Sequence, residues 1–204
     1  SANPEKGINA VYKMAKVIEA IRTLEPTHHP VLGDGILELT DIKSAPYPGA
    51  SVVPEYCRAT YDRRLLVGET KESVLAPIQE LLDKLMAEDP QLKAKVSYAV
   101  GKEQCYTGND ITGERFFPGW LYDEKDAFVQ DVKKELEGMG YTPEITQYNF
   151  CTNGSHYAGE AGIKTFGLGP SKENLAHTVN EYIEIDQLTK VTDCYYGVMK
   201  ALLK

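Results

Sequence analysis

The chain has 204 residues, 42% hydrophobic and 25% charged, an ordinary composition for a soluble globular protein of one large or two small domains. Its formal net charge of −8 repels phosphate backbones, so we expect no nucleic-acid partner. No stretch approaches the run of about 20 apolar residues that a membrane-spanning helix requires, and the sequence opens without an apolar signal segment. The four scattered cysteines fit small buried side chains in a reducing compartment, so we expect a cytoplasmic protein without membrane contact.

A helix and two extended segments are predicted in the first 66 residues. Apolar residues recur at every third or fourth position over residues 5–24, which predicts an amphipathic helix that ends before Pro26. Residues 35–43 and residues 51–66 have the composition of strands. In the second of these strands, a period of two separates a core-like face from a strongly polar face. The core-like face holds Cys57, Ala59 and Tyr61, and the polar face holds Arg58, Thr60, Asp62 and Arg64.

A second helix and a third strand are predicted next. Residues 70–87 have an apolar stripe at helical spacing, with Thr70 as the N-cap. Residues 93–100 alternate in the manner of a strand, and the inward positions are Ala94, Val96, Tyr98 and Val100. The order helix, strand, strand, helix, strand becomes a ferredoxin-like βαββαβ sandwich if one further strand precedes residue 1. We therefore expect two helices on one face of a small antiparallel sheet.

The second half has the pattern of an incomplete α/β domain. Residues 101–122 lack periodicity and hold the only tryptophan, so we interpret them as the crossing between two domains, at 1–115 and 116–204. The later elements are predicted as a helix over 123–139 capped by Asp123, strands over 144–150 and 163–168, and a final helix from Asp186 to residue 203. So few short elements need a larger sheet to dock on, and we expect the chain to be a fragment of a longer protein.

His177 is a candidate metal ligand. It lies in a loop and precedes Asn180 and Glu181, a polar pair that can orient an imidazole. Catalytic zinc usually takes about three protein ligands, and no second histidine lies at ligand spacing from His177. The alternative is an ordinary loop histidine that caps a helix or binds a carbonyl group.

Arg64 is a candidate substrate-binding residue on the polar face of the second strand, together with Arg58 and Asp62. A guanidinium group can bind a substrate carboxylate through two parallel hydrogen bonds. The alternative is a cluster of surface ion pairs, which contributes little to stability.

The turn at residues 151–157 offers further possibilities. Gly154 and Ser155 precede a short helix and can present backbone N–H groups to an anion. We interpret His156 as either a substrate contact or a helix-start residue. A cysteine hydrolase that uses Cys151 and His156 is a third hypothesis, and it requires a base close to the thiol.

Three segments, taken in order, carry the pattern of a known family. Residues 1–10, Ser-Ala-Asn-Pro-Glu-Lys-Gly-Ile-Asn-Ala, resemble the start of a lid helix, and residues 51–54 with 59–64 resemble a lid strand that ends in Asp-x-Arg. Residues 167–183 resemble a C-terminal block that holds the last metal ligand. The family is that of zinc metallopeptidases of the acetylornithine deacetylase, succinyl-diaminopimelate desuccinylase and carboxypeptidase G type. Residues 152–159 are most similar to a branch described as selenium-metabolism-linked hydrolases.

The resemblance implies a mechanism and assigns residues to it. Two zinc ions bridge a water molecule, a glutamate acts as general base, and the metals stabilise the oxyanion formed at the amide carbonyl. His177 matches the C-terminal zinc ligand, and Arg64 matches the arginine that binds the substrate's carboxylate. Ser51 stands where many members have Asn. The turn that lines the substrate pocket is matched by Asn153, Gly154 and Ser155.

The resemblance also implies an incomplete enzyme. The other metal ligands and the general base of the family have no counterpart in this chain, so we expect no catalytic residue here and no activity from the chain alone. The expected fold is α/β, with a βαββαβ lid that serves as the dimerisation surface, followed by the C-terminal portion of a catalytic domain. We expect a homodimer whose intact site holds two zinc ions, with cobalt or manganese as substitutes, none of them retained by this chain. The substrate is a dipeptide or an N-acyl amino acid, and the alternative function is a non-catalytic dimerisation or interaction module.

Overall fold

The computed structural model describes residues 2–49 and 51–203, and these form two compact units. The first unit extends to Gly119 and the second begins at Trp120. This division concerns compactness alone, and the domain ranges 1–115 and 116–204 stay predictions. Ser1, with which the first motif begins, lies outside the described residues.

The first helix of the first unit is shorter than its apolar pattern predicts. Helix α1 (Ala10–Ile21) begins after Asn9, whose side-chain oxygen accepts the backbone N–H groups of Val11 and Tyr12 at 3.0 and 3.3 Å. Such an N-cap satisfies donors that have no partner inside the helix, and it fixes where the helix starts. The predicted start at residue 5 is wrong, because a 3₁₀ turn at Pro4–Lys6 precedes the cap.

The second helix, α2 (Lys71–Glu88), has the predicted limits. Thr70 and Ser73 form a capping box, in which each side-chain hydroxyl accepts the other residue's backbone N–H, at 3.2 and 2.9 Å. The helix ends at Asp89, as predicted. These reciprocal bonds hold the start of α2 in one conformation.

The strands of the first unit form antiparallel pairs. The longest pair, β3 with β4, confirms the two strands predicted before α2, although its register shifts between Leu39 and Asp41, where an extra residue forms a bulge. The pairs are β1 (His28–His29) with β2 (Gly33–Asp34), β3 (Ile36–Ala45) with β4 (Tyr56–Arg64), and β5 (Val100–Gln104) with β6 (Asp110–Glu114).

The strand predicted over residues 93–100 is wrong as a hydrogen-bonded element, since only Val100 belongs to a strand. The alternation itself is present: Ala94, Val96 and Tyr98 are partly buried, whereas the residues between them are exposed. Val100, predicted to point inward, is 61% exposed. A strand also needs a neighbouring backbone, and among the described residues no strand pairs with residues 93–99.

The core of the first unit lies between its two helices and β4. Leu82 is the most buried residue there at 2% exposure, and Tyr61 of β4 packs against the same cluster. The other buried members are Val17, Ile21, Ile78 and Leu92. The predicted core-like face of β4 is therefore confirmed, with Cys57 buried at 9% exposure.

The second unit consists of two packed helices and irregular segments. Helix α3 (Ala127–Gly138) packs on α4 (Ile185–Leu202) through Val132, Leu136 and Ala201. The apolar stripe predicted for the last helix is only partly buried. Val191 is buried, whereas Leu188 and Leu202 are 45% and 37% exposed.

Both N-caps predicted in the second unit are wrong by a few residues. The cap of α3 is Asp126, and the carboxylate of Asp123 instead accepts a backbone N–H in the preceding turn. The cap of α4 is Glu184, and Asp186 lies within the first helical turn. An acidic side chain is favourable at either position, so residue type alone does not fix the helix start.

The strands predicted over residues 144–150 and 163–168 are also wrong, since neither segment is paired in the part of the chain that the structure describes. The helix expected between them is a single π-helical turn at Ser155–Glu160. Several apolar side chains of the unpaired segments are exposed, namely Ile145, Tyr148, Phe150, Ile163 and Leu168. Within residues 2–49 and 51–203, no helix is long and apolar enough to cross a membrane.

Candidate functional site

Arg64 ends β4 and lies on its polar face. It is opposite Ile36 in the β3–β4 register, and its Nη2 atom lies 3.3 Å from the Oδ2 atom of Asp62. The two side chains are 42% and 51% exposed, and an ion pair so open to solvent contributes little to folding. A guanidinium group has five N–H donors, so this single weak pair leaves Arg64 able to bind another carboxylate.

The neighbouring residue, Arg63, has a different environment. Its Nη2 atom lies 2.6 Å from the Oε1 atom of Glu69, and these side chains are only 21% and 10% exposed. The other carboxylate oxygen of Glu69 accepts the backbone N–H of Leu66 at 2.6 Å, and Thr27 Oγ1 donates to Oε1 at 3.2 Å. This cluster was not predicted from the sequence. Strand alternation could have indicated it, because it places Arg63 on the same face as the core residue Tyr61, where a charged side chain needs a partner.

A groove of about 460 Å³ lies beside the start of α1. Pro54, one of its lining residues, accepts a hydrogen bond of 2.9 Å at its carbonyl from the backbone N–H of Ala10. Ser51, the predicted substrate contact, is exposed and immediately precedes Val52, which lines the groove. The groove also contains Ile8, Tyr12, Lys16 and Val53.

The turn that contains Gly154 is closely packed in the second unit. A Cβ atom at Gly154 would lie 2.6 Å from the ring of Trp120, so only glycine is accommodated there. The backbone N–H of Gly154 donates to Thr152 Oγ1, and that of Ser155 donates to the Thr152 carbonyl, both at 3.1 Å. The expectation that these N–H groups face an anion is wrong, because the turn itself uses them. Asn153 is exposed beside them, and its carbonyl accepts the N–H of His156 at 3.1 Å.

The reactive side chains around this turn are engaged locally. Ser155 is 4% exposed, and its hydroxyl lies 3.5 Å from the Sγ atom of Cys151. The Nδ1 atom of His156 lies 2.7 Å from the Oε2 atom of Glu160 within the same π-helical turn. Cys151 is exposed, so the expectation of uniformly buried thiols is wrong. Cys57 is the buried thiol, and burial raises its pKa.

His177 lies exposed in a loop with unusual backbone angles. Its φ angle is 60°, and Asn180 has the same value. The backbone N–H of His177 donates to the Oε2 atom of Glu181 at 3.2 Å. This glutamate therefore holds the main chain, whereas the sequence predicted that it orients the imidazole. Left-handed angles at residues other than glycine cost energy, and they recur at binding and catalytic sites. The loop therefore presents the His177 ring to solvent from a constrained backbone.

A zinc centre needs more than the described residues bring together. Across residues 2–49 and 51–203, no three His, Cys, Asp or Glu side chains are close enough to hold a metal ion. His177 can supply one imidazole, whereas a catalytic zinc ion usually takes about three protein ligands. The described residues thus do not fit a complete zinc site, and we derive no chemical step through a metal. The roles predicted for His177, Arg64 and the turn at residues 153–155 stay predictions.

Comparison with known proteins identifies the class of the first unit. Residues 1–90 match the family model of the M20 peptidase dimerisation domain, so this part of the chain is similar to that domain. The match confirms the resemblance of the first two motifs, at residues 1–10 and 51–64, whereas the motif at residues 167–183 lies outside it. The finer placement in a selenium-linked branch stays a prediction.

Three curated proteins extend the similarity along the chain. The Escherichia coli K12 protein YgeY is 33% identical over 181 residues, which cover 87% of this chain and 43% of YgeY. An N-formyl-4-amino-5-aminomethyl-2-methylpyrimidine deformylase of Halalkalibacterium halodurans is 28% identical over 92% of this chain and 44% of its own length. A succinyl-diaminopimelate desuccinylase of Hydrogenovibrio crunogenus is 26% identical over 75% and 35%, respectively. The chain thus spans less than half the length of the curated relatives it matches.

A solved structure supports the fold. The aminopeptidase PepT from Bacillus cereus is similar with a TM-score of 0.63, and the match covers 99% of this chain and 48% of PepT. The sequence identity is 20%, so the likeness concerns the fold alone. It confirms the predicted α/β fold class.

Proposed function

We propose that this chain supplies the lid and a C-terminal part of the catalytic domain of a metal-dependent amide hydrolase. The observation that carries the proposal is the M20 match of residues 1–90, continued along the chain by relatives named as a deformylase and a desuccinylase. Both names describe the removal of an acyl group from nitrogen. We propose the corresponding reaction here, on a dipeptide or an N-acyl amino acid, in a cytoplasmic homodimer joined through the first unit.

Arg64 binds the carboxylate of the substrate in this proposal. Its side chain, 42% exposed, and its weak pair with Asp62 support this role, because an incoming carboxylate can replace Asp62 with little loss. The proposed substrate contacts outside β4 are Ser51, Asn153, Gly154 and Ser155. Of these, Gly154 and Ser155 are buried and act by shaping the turn.

His177 is proposed as one ligand of a zinc pair, with cobalt or manganese as substitutes. Its exposure and its constrained backbone support a role as a ligand, and the remaining ligands would come from outside this chain. When bound, such metals supply an activated water molecule at neutral pH. The chain itself is proposed to be inactive, since the described residues do not complete the metal site.

The test is hydrolysis of a panel of dipeptides and N-acyl amino acids, with and without added zinc or cobalt. It compares this chain with a longer version of the protein that continues upstream. We expect no turnover from the chain and metal-dependent turnover from the longer version. In the longer version, Arg64→Lys should raise KM for N-acetyl amino acids and leave the weak hydrolysis of their amides unchanged. Turnover by the chain alone would contradict the proposal that it is incomplete.

A non-catalytic dimerisation module is the second candidate function. The observation in its favour is that the family match covers residues 1–90 and is named for dimerisation, not for chemistry. Light scattering after size-exclusion chromatography measures the mass directly. A dimeric chain whose longer version hydrolyses nothing in the panel, with any of the metals, would favour this candidate over the hydrolase.

A further inference from the structure

Glu69 connects three parts of the first unit. Its carboxylate receives the guanidinium of Arg63 at 2.6 Å, the backbone N–H of Leu66 at 2.6 Å and the hydroxyl of Thr27 at 3.2 Å. The side chain is 10% exposed, so it is nine-tenths buried by these contacts. One carboxylate thus joins the end of β4, the loop that follows it and the segment before β1.

Arg63 depends on this carboxylate because of the side of β4 on which it lies. It pairs with Leu37 in the β3–β4 register, and both Leu37 and Tyr61 pack against the core cluster. The Arg63 side chain is 21% exposed, so most of it is removed from water. A charge in such a position is costly once its partner is removed, and the chain responds by moving the charge back to solvent.

The position of Arg63 determines that of Arg64. Successive side chains of a strand point to opposite faces, so holding Arg63 on the core side holds Arg64 on the polar side beside Asp62. The loop after Arg64 is also confined from a second direction. A Cβ atom on Gly119 would lie 2.7 Å from the carbonyl carbon of Leu66, which shows how closely the two main chains approach.

We propose that Glu69 is a positioning residue for carboxylate binding by Arg64. It neutralises Arg63 on the core side and fixes the loop at Leu66, and both contacts keep the end of β4 in the orientation that directs Arg64 outward. This inference rests on the proposed role of Arg64. It adds a residue that contacts no substrate and yet determines the affinity for the substrate's carboxylate.

The experiment is a titration of the full chain with N-acetyl-L-alanine, followed through the Arg64 Nε–Hε signal in ¹H–¹⁵N spectra. Arg64→Lys identifies that signal, and N-acetyl-L-alanine amide controls for contacts that do not need a carboxylate. We expect saturable shifts with the acid only, and about tenfold weaker binding in Glu69→Gln. Asp89→Asn is the matched control, because it breaks the partly buried Lys13–Asp89 pair of 2.6 Å elsewhere in the unit.

A double variant separates positioning from general destabilisation. If Glu69 acts by neutralising Arg63, then Arg63→Met combined with Glu69→Gln should recover most of the affinity lost in Glu69→Gln alone. The inference is supported if Glu69→Gln and Asp89→Asn lower the Tm to a similar extent, yet only Glu69→Gln lowers the affinity for N-acetyl-L-alanine.

Two results would overturn the inference. Unchanged acid affinity in Glu69→Gln would reject positioning by Glu69 and leave the role of Arg64 intact. An Arg64 signal that does not respond to the acid in the unaltered chain would reject both the inference and the carboxylate-binding role on which it rests.

Discussion

The two units of the chain differ in whether the backbone N–H and C=O groups of their extended segments form hydrogen bonds with a neighbouring strand. In the first unit, β3 and β4 form a long ladder, and α1 and α2 begin at side chains that bind their free N–H groups. In the second unit, residues 144–150 and 163–168 have strand-like sequences, but no ladder forms among the described residues. A strand-like pattern therefore becomes a strand only where a second backbone is available to accept and donate hydrogen bonds.

Hydrogen exchange should show this difference most strongly. The paired amides of α1, α2 and the β3–β4 ladder have backbone acceptors, whereas the amides of residues 144–148 and 164–168 have none among the described residues. We expect the amides of the unpaired segments to exchange at nearly the rate of an unfolded chain. The paired amides of α1, α2 and the β3–β4 ladder should exchange only through cooperative opening. Mass spectrometry of peptic peptides measures both. Equal protection in the two units would remove the basis of the comparison.

Gly154→Ala should destabilise the second unit by about 1–3 kcal/mol, because the new methyl group overlaps the Trp120 ring. Thermal unfolding followed by far-UV circular dichroism measures the loss. Gly169→Ala is the control, since a Cβ atom there meets nothing within 4 Å. Equal effects of the two substitutions would mean that the turn at residue 154 is not closely packed.

Two tyrosines of the first unit should differ in how loss of the hydroxyl changes the free energy of unfolding. Tyr98 donates to the carbonyl of Lys71 at 2.9 Å, so Tyr98→Phe should cost about 1 kcal/mol. The hydroxyl of Tyr61 is buried without a hydrogen-bond partner among the described residues, and burial raises its pKa. Tyr61→Phe should therefore be neutral or stabilise the unit by up to about 1 kcal/mol. Urea denaturation of both variants decides, and destabilisation by Tyr61→Phe would indicate a partner for that hydroxyl.

Acid should weaken the first unit through a tertiary ion pair. The hydrogen bond from Lys13 lowers the pKa of Asp89 below its ordinary value. A lowered folded pKa means that the stabilisation is fully present above the unfolded pKa of about 4 and is lost as the pH falls through the folded value. Asp89→Asn should remove this part of the pH dependence. Asp186, whose pKa is lowered by Lys190 four residues along the same helix, gives the local comparison in the second unit.

We expect Asp186→Asn to change the pH dependence less than Asp89→Asn, because a pair within one helix does not hold separate elements together. Measuring the free energy of unfolding between about pH 2 and 7 tests both variants, because this range spans the ordinary pKa of an aspartate, about 4. An equal response would show that the tertiary pair adds nothing beyond a local one.

Local signals made part of the fold predictable from the sequence. The capping box at Thr70, the end of α2 at Asp89 and the two faces of β4 follow from contacts between residues close in sequence or from strand alternation. The start of α1 was missed because an apolar pattern continues through a turn, whereas Asn9 decides where the helix begins. Residues 93–99 alternate as predicted, but pairing depends on a neighbour that sequence periodicity does not reveal.

The candidate site shows the same limit. The pair of Arg64 with Asp62 follows from strand alternation, which places both on one face. The contact of Arg63 with Glu69 depends on a loop that folds back, so spacing alone does not indicate it. The left-handed backbone of His177 is likewise set by its loop, since histidine more often adopts other conformations.

The packing of Trp120 on Gly154 has a practical consequence. Tryptophan occurs once in the chain, so all of its indole emission originates beside the turn proposed to line the substrate pocket. A ligand that reaches Asn153 or reshapes the turn would change the polarity around this indole and shift its emission. The protein therefore contains an intrinsic fluorescent reporter for this turn, which can be read in solution without a label.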